Sequence, residues 1–116
     1  MRGLGVDVVA VRRFHPPHPL VAERILSSFE RQAFPDQDHP DQWLAGRWAA
    51  KEAIIKTGYF RDRPFAWRWV AVRLVANAGL KVTIYDFNQR QFRCEPQLWV
   101  SISHTDRYAV AVAVWS

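Results

Sequence analysis

The chain has 116 residues, 49% of them hydrophobic, enough for one domain spanning residues 1–116 with a real core, and disorder is excluded. No apolar run approaches the roughly 20 residues that span a bilayer, and the N-terminus carries no secretory pattern. One cysteine, Cys94, excludes an internal disulfide and sets the expectation of a reducing, cytoplasmic setting. Sixteen basic residues against 11 acidic ones leave a formal charge of +5. Such a surface attracts polyanions (nucleic acid, anionic lipid, a phosphate-bearing cofactor or an acidic protein) without choosing among them.

The alternation of Leu4–Val11 predicts a strand, with Leu4, Val6 and Val8 on one face and Gly5, Asp7, Val9 and Val11 on the other. His15-Pro-Pro-His18-Pro19 breaks regular structure. A helix is expected over Leu20–Ala33, with Val21, Ile25 and Phe29 on its apolar stripe. Pro35–Pro40 reads as a loop and Asp41 as an N-cap. A second helix is expected over Gln42–Thr57, rich in alanine and stopped by Gly58. Beyond a basic, aromatic connection, Trp67–Val75 and Leu80–Phe87 read as strands joined through Asn77-Ala78-Gly79. Asn88–Pro96 is irregular or weakly extended. Leu98–Ser103 and Tyr108–Trp115 make a terminal hairpin, in which Ala109, Ala111 and Ala113 leave room for a helix. The order β-α-α-β-β-β-β predicts an α+β domain, its helices on one face of a mainly antiparallel sheet.

Few residues can carry chemistry. Glu52 has Trp48 and Ile55 as its ridge neighbours, and a carboxylate in an apolar stripe needs a partner. That partner is either Lys56, at i+4, or a metal ion. Asp7 interrupts an apolar strand and calls for a hydrogen-bond donor or a cation. Two such carboxylates beside a lysine would suit Mg²⁺, which completes its shell with phosphate oxygens and water. Ser101-Ile-Ser103-His104-Thr105 lacks the glycines of a nucleophile elbow, so a turn cap or a contact to phosphate or adenine fits better than a hydrolase. His15-x-x-His18 is a poor zinc pair between its prolines.

Three separated stretches carry a resemblance. Gly3-Leu-Gly-Val-Asp7, Leu44-Ala-Gly-Arg47-Trp-Ala-Ala-Lys-Glu52-Ala-Ile-Ile-Lys56 and Val100-Ser-Ile-Ser-His104-Thr resemble holo-[acyl-carrier-protein] synthases, the family of small 4'-phosphopantetheinyl transferases; Ala22-Glu-Arg-Ile-Leu26 also matches. The resemblance covers nearly the whole chain. It implies the 4'-phosphopantetheinyl transferase fold and a Mg²⁺-dependent transfer of phosphopantetheine from coenzyme A to a serine of apo acyl carrier protein, releasing 3',5'-ADP, as in fatty acid biosynthesis. It also implies roles. Asp7 and Glu52 would hold Mg²⁺, Lys56 would contact the phosphates, and Glu52, directly or through a metal-bound water, would be the base. Arg47, Lys56, His104 and Thr105 would bind the coenzyme. Arg13, Val21, Arg24 and Trp48 would meet the acidic carrier. A homotrimer with sites at subunit boundaries is implied too, with no membrane and no nucleic acid as partner. The departures are specific: Lys56-Thr-Gly58-Tyr-Phe-Arg keeps one glycine of a Gly-Thr-Gly-like loop, Gly79-Leu-Lys81 lacks the family's proline, and Asn88–Gln97 matches nothing. A catalytically weakened binding module for an acidic protein or RNA is the alternative these departures leave.

Overall fold

The computed structural model describes all 116 residues and resolves six strands and three α-helices into two three-stranded antiparallel sheets. The first sheet joins β1 (Gly3–Ala10), β6 (Tyr108–Trp115) and β5 (Leu98–His104), with β6 in the middle. The second joins β2 (Val70–Val75), β3 (Gly79–Asp86) and β4 (Gln91–Cys94), in that order. The helices are α1 (Pro19–Ile25), α2 (Ser28–Ala33) and α3 (Pro40–Lys56). The α+β architecture follows the sequence pattern, but the expected single sheet is divided in two.

Helix α3 packs across the inner face of the first sheet, and small residues set how close it comes. Ala109, Ala111 and Ala113 are fully buried on β6, facing Ala45, Ala49, Ala50 and Ala53 in the same core. A methyl group at Gly5 would stand 1.9 Å from the Ala53 carbonyl oxygen, so only glycine lets β1 approach the helix here. The opposite face is different. Leu4, Val6 and Val8 are each more than half exposed, and their register partners Val114, Val112 and Val110 share that outward face.

Several boundaries moved. The single helix expected over Leu20–Ala33 is two helices, because Ser27 stops the first and caps the second. Its hydroxyl accepts from the Glu30 amide while Glu30 accepts from the Ser27 amide, a reciprocal capping box. Asp41 is not the N-cap of α3: His39 holds that position, Pro40 opens the helix, and Asp41 pairs with His15 at 3.2 Å. Trp67–Trp69 is a 3₁₀ turn rather than the start of a strand. The irregular Asn88–Pro96 contains β4, paired to β3 through Tyr85 and Phe92. His18 accepts from the Leu20 amide, so with His15 held by Asp41 the two histidines form no zinc pair.

Candidate active site

Asp7 lies mid-strand on β1, an edge of the first sheet; Glu52 and Lys56 lie one turn apart near the C-terminal end of α3. The close α3–β1 packing brings all three together. Lys56 Nζ donates to Asp7 Oδ1 at 2.9 Å and to the Val6 carbonyl at 3.2 Å. The ion pair that forms is therefore Lys56–Asp7, and Glu52 is left without a salt-bridge partner. Partial burial raises the Glu52 pKa, the neighbouring Asp7 charge raises it further, and Lys56 and Arg13 pull against both. The hydrogen bond to Asp7 holds the Lys56 ammonium above its usual range.

Two facing carboxylates, one of them short of positive charge, are a cation site by their chemistry. No third His, Cys, Asp or Glu joins them, which suits an ion that draws the rest of its shell from phosphate and water. Beside them Ile55, Lys56, Gly58, Phe60, Arg61 and Phe65 line a hollow. Its aromatic wall and Arg61 come from the connection after α3, the basic, aromatic segment in which the sequence departs from the family's Gly-Thr-Gly-like loop.

The remaining residues fall elsewhere. His104 ends β5, the opposite edge of the first sheet, and lines a second hollow with Trp43, Arg47, Gly46 and Ile102. Arg47 stacks on Trp43 at 4.5 Å, burial lowers its pKa, and its Nε is buried without a partner. Such an orphaned donor points to an anionic ligand. With β6 between β1 and β5, the Asp7 and His104 edges lie roughly 10 Å apart. The Asp7 cluster and the Arg47–His104 hollow are thus separate within one chain. Thr105 caps its own turn, its hydroxyl accepting from the Arg107 and Tyr108 amides. Ser101 and Ser103 pair with Val112 and Val110 on the outward face, while His104 points into the Arg47 hollow, so no Ser–His pair forms.

On the helical side, Arg13 lies over Trp48 at 5.8 Å and Val21 is exposed on α1. Arg24 stands at the last turn of α1. Of these, Arg13 lies close enough to Glu52 for its charge to act on that carboxylate.

An α+β chain with a carboxylate pair, an attendant lysine and a separate cationic hollow has the layout of an enzyme for a phosphate-bearing substrate. The sequence profile of the 4'-phosphopantetheinyl transferase superfamily matches residues 3–113, and the chain belongs to that family. A holo-[acyl-carrier-protein] synthase of Protochlamydia amoebophila is 33% identical over 98% of this chain and 97% of its own length. One from Coprothermobacter proteolyticus is 30% identical over 99% and 95%. Among solved structures, the holo-[acyl-carrier-protein] synthase of Neisseria meningitidis superposes with a TM-score of 0.76 at 25% identity, covering 100% of this chain and 98% of that one. That of Bacillus anthracis, solved with coenzyme A (3',5'-ADP), gives 0.77 at 24% over 97% and 94%, a likeness of fold.

Proposed function

We propose that this chain is a holo-[acyl-carrier-protein] synthase that moves 4'-phosphopantetheine from coenzyme A to a serine of an acidic acyl carrier protein. The observation that carries the reading is the convergence of Asp7, Glu52 and Lys56 at one edge of the first sheet. In the reaction the serine oxygen bonds to the phosphorus bearing the pantetheine arm. The bond from that phosphorus to the bridging oxygen breaks, and 3',5'-ADP leaves with the electron pair. Asp7 and Glu52 are the residues that would hold Mg²⁺, which when bound supplies charge neutralisation at the pyrophosphate. Lys56 turns its ammonium from Asp7 toward the phosphates and stabilises the charge that grows on the leaving group. Glu52 takes the serine proton, directly or through a water, a task its raised pKa suits. Arg47 and His104 bind the nucleotide end, the buried Nε of Arg47 gaining the partner it lacks. A cytoplasmic setting agrees with the single free cysteine.

Apo-carrier incubated with coenzyme A, Mg²⁺ and this protein is expected to gain about 340 Da on its serine, read by mass spectrometry. No addition on any of several carriers would favour a binding module.

We also infer a homotrimer. The Asp7 cluster and the Arg47–His104 hollow lie on opposite sheet edges, which supports half-sites that are completed when the Asp7 edge of one subunit meets the His104 edge of the next. The outward face of Leu4, Val6, Val8, Val110 and Val112 is an apolar surface of the kind that subunits cover. A Val8→Asp/Val110→Asp variant is expected to elute as a folded monomer and to lose transfer, because both half-sites survive but never meet. Elution unchanged from the wild type would refute the assembly.

A further inference from the structure

Lys56 has two places to put its charge. As the last residue of α3 it stands one turn beyond Glu52, the spacing at which a glutamate and a lysine ordinarily pair along a helix. Its ammonium goes instead to β1, donating to Asp7 Oδ1 at 2.9 Å and to the Val6 carbonyl at 3.2 Å. The Asp7 side chain is 14% exposed and that of Lys56 52%, so the lysine is the solvated partner of a mostly covered carboxylate. On its other side opens the hollow lined by Lys56 itself, Gly58, Phe60 and Arg61. A flexible four-carbon stem in contact with water turns into such a space readily.

The position beside Asp7 matters for any cation the two carboxylates take. Asp7 Oδ1 already holds a positive charge at hydrogen-bond distance. A divalent ion shared by Asp7 and Glu52 would sit close to that ammonium, and like charges that near repel strongly where water is partly excluded. We propose that Lys56 is an electrostatic gate on the metal site: it competes with a divalent cation for Asp7 in the free protein and releases Asp7 when the coenzyme phosphates take its ammonium. Metal and coenzyme then bind with a positive coupling carried by one side chain, each raising the affinity for the other by the same factor. The free protein holds metal weakly and loads metal and pyrophosphate together. The role of the phosphates rests on the transferase reading, whereas the competition at Asp7 rests on the ion pair alone. Direct attraction between cation and phosphate couples them as well, and a variant without the ammonium separates the two contributions.

Mn²⁺, which takes the same oxygen ligands as Mg²⁺, is titrated into the wild type and Lys56→Gln and read by electron paramagnetic resonance. Each titration is run without coenzyme A and with it in excess, the metal held by free coenzyme A being subtracted. Glutamine can still donate to Asp7 but brings no charge, so melting curves should nearly coincide. Without coenzyme A the variant is expected to bind Mn²⁺ about tenfold more tightly than the wild type. With coenzyme A that advantage should vanish, so that the coupling factor of the variant is smaller by about the same tenfold. Arg61 lines the same hollow with its guanidinium against Gly58, and Arg61→Gln should change Mn²⁺ affinity by less than about twofold. Unchanged affinity in Lys56→Gln without coenzyme A overturns the proposal, as does an equal gain in Arg61→Gln, which would mark an effect of net charge. An advantage that persists in full with coenzyme A overturns it too, and so does a lack of Mn²⁺ binding by both proteins in both conditions. A wild type that transfers nothing, beside a variant with tightened and coenzyme-sensitive Mn²⁺ binding, would sink the transferase reading and uphold the gate. Normal transfer beside identical Mn²⁺ titrations would do the reverse.

Discussion

Lys51→Ala is expected to cost about 3–5 kcal/mol, a large part of the stability of a domain this size. Lys51 and Glu30 are 1% and 2% exposed and meet at 2.6 Å. Desolvation pushes the Lys51 pKa down, and the Glu30 charge pushes it back up. What makes the pair unusual is how fully its other bonds are used. The ammonium also donates to the carbonyls of Ile25 and Trp67, and the carboxylate accepts from the amides of Ser27 and Val72. Five segments of the chain meet at this point: the end of α1, the start of α2, α3, the Trp67 turn and β2. Replacing a buried pair by apolar residues is often neutral. Here Lys51→Met/Glu30→Leu would strand the Ser27 and Val72 amides and the Ile25 carbonyl, while the Trp67 carbonyl keeps its bond from the Val70 amide. The double variant should therefore remain about 2 kcal/mol or more below the wild type. Urea unfolding of both variants measures this. Full recovery in the double variant would mean that the backbone bonds contribute nothing.

The same pair shows where the sequence stops being readable. Glu52 interrupts an apolar stripe and draws attention, yet the fully buried charge on α3 is its neighbour Lys51. Periodicity locates the core face of a helix but cannot say which polar residue on that face has a partner 21 positions away. Element types were legible wherever the pattern was long, as in β1, α3 and the β5–β6 hairpin. Failures came where local chemistry competed with periodicity: Ser27 and Glu30 cut a helix that the apolar stripe runs straight through. The strand Gln91–Cys94 carries too little alternation to announce itself and exists because β3 supplies its partner. Within the candidate site, the motifs named candidate side chains, but not that these divide between two edges of one sheet. The Lys56–Asp7 pair depends on tertiary proximity, which no spacing encodes.

Glu52→Gln should stop phosphopantetheine transfer, by about 10²–10⁴-fold if the carboxylate acts as the base, while making the protein slightly more stable. The opposition of these effects follows from one carboxylate. Folding raises the Glu52 pKa through burial and through Asp7. Its ionised form therefore weighs against the fold at neutral pH, and the penalty disappears as pH falls through the raised folded-state value. Glutamine keeps the shape and removes the charge. Because Glu52 is partly solvated, the gain is small, a few tenths of a kcal/mol or roughly 1–2 °C in Tm near pH 7. It should shrink to nothing below about pH 4, where the wild-type carboxyl is itself neutral. Added Mg²⁺ should stabilise the wild type and leave the variant little changed, since a neutral amide cannot complete the carboxylate pair. A purely structural Glu52 predicts something else: lost stability at every pH, with transfer falling only as far as the folded fraction falls. Melting curves across that pH range, with and without Mg²⁺, beside a mass-spectrometric transfer assay, separate the two cases. An inactive variant more stable than its parent would mean that the carboxylate is kept for chemistry, at the expense of the fold.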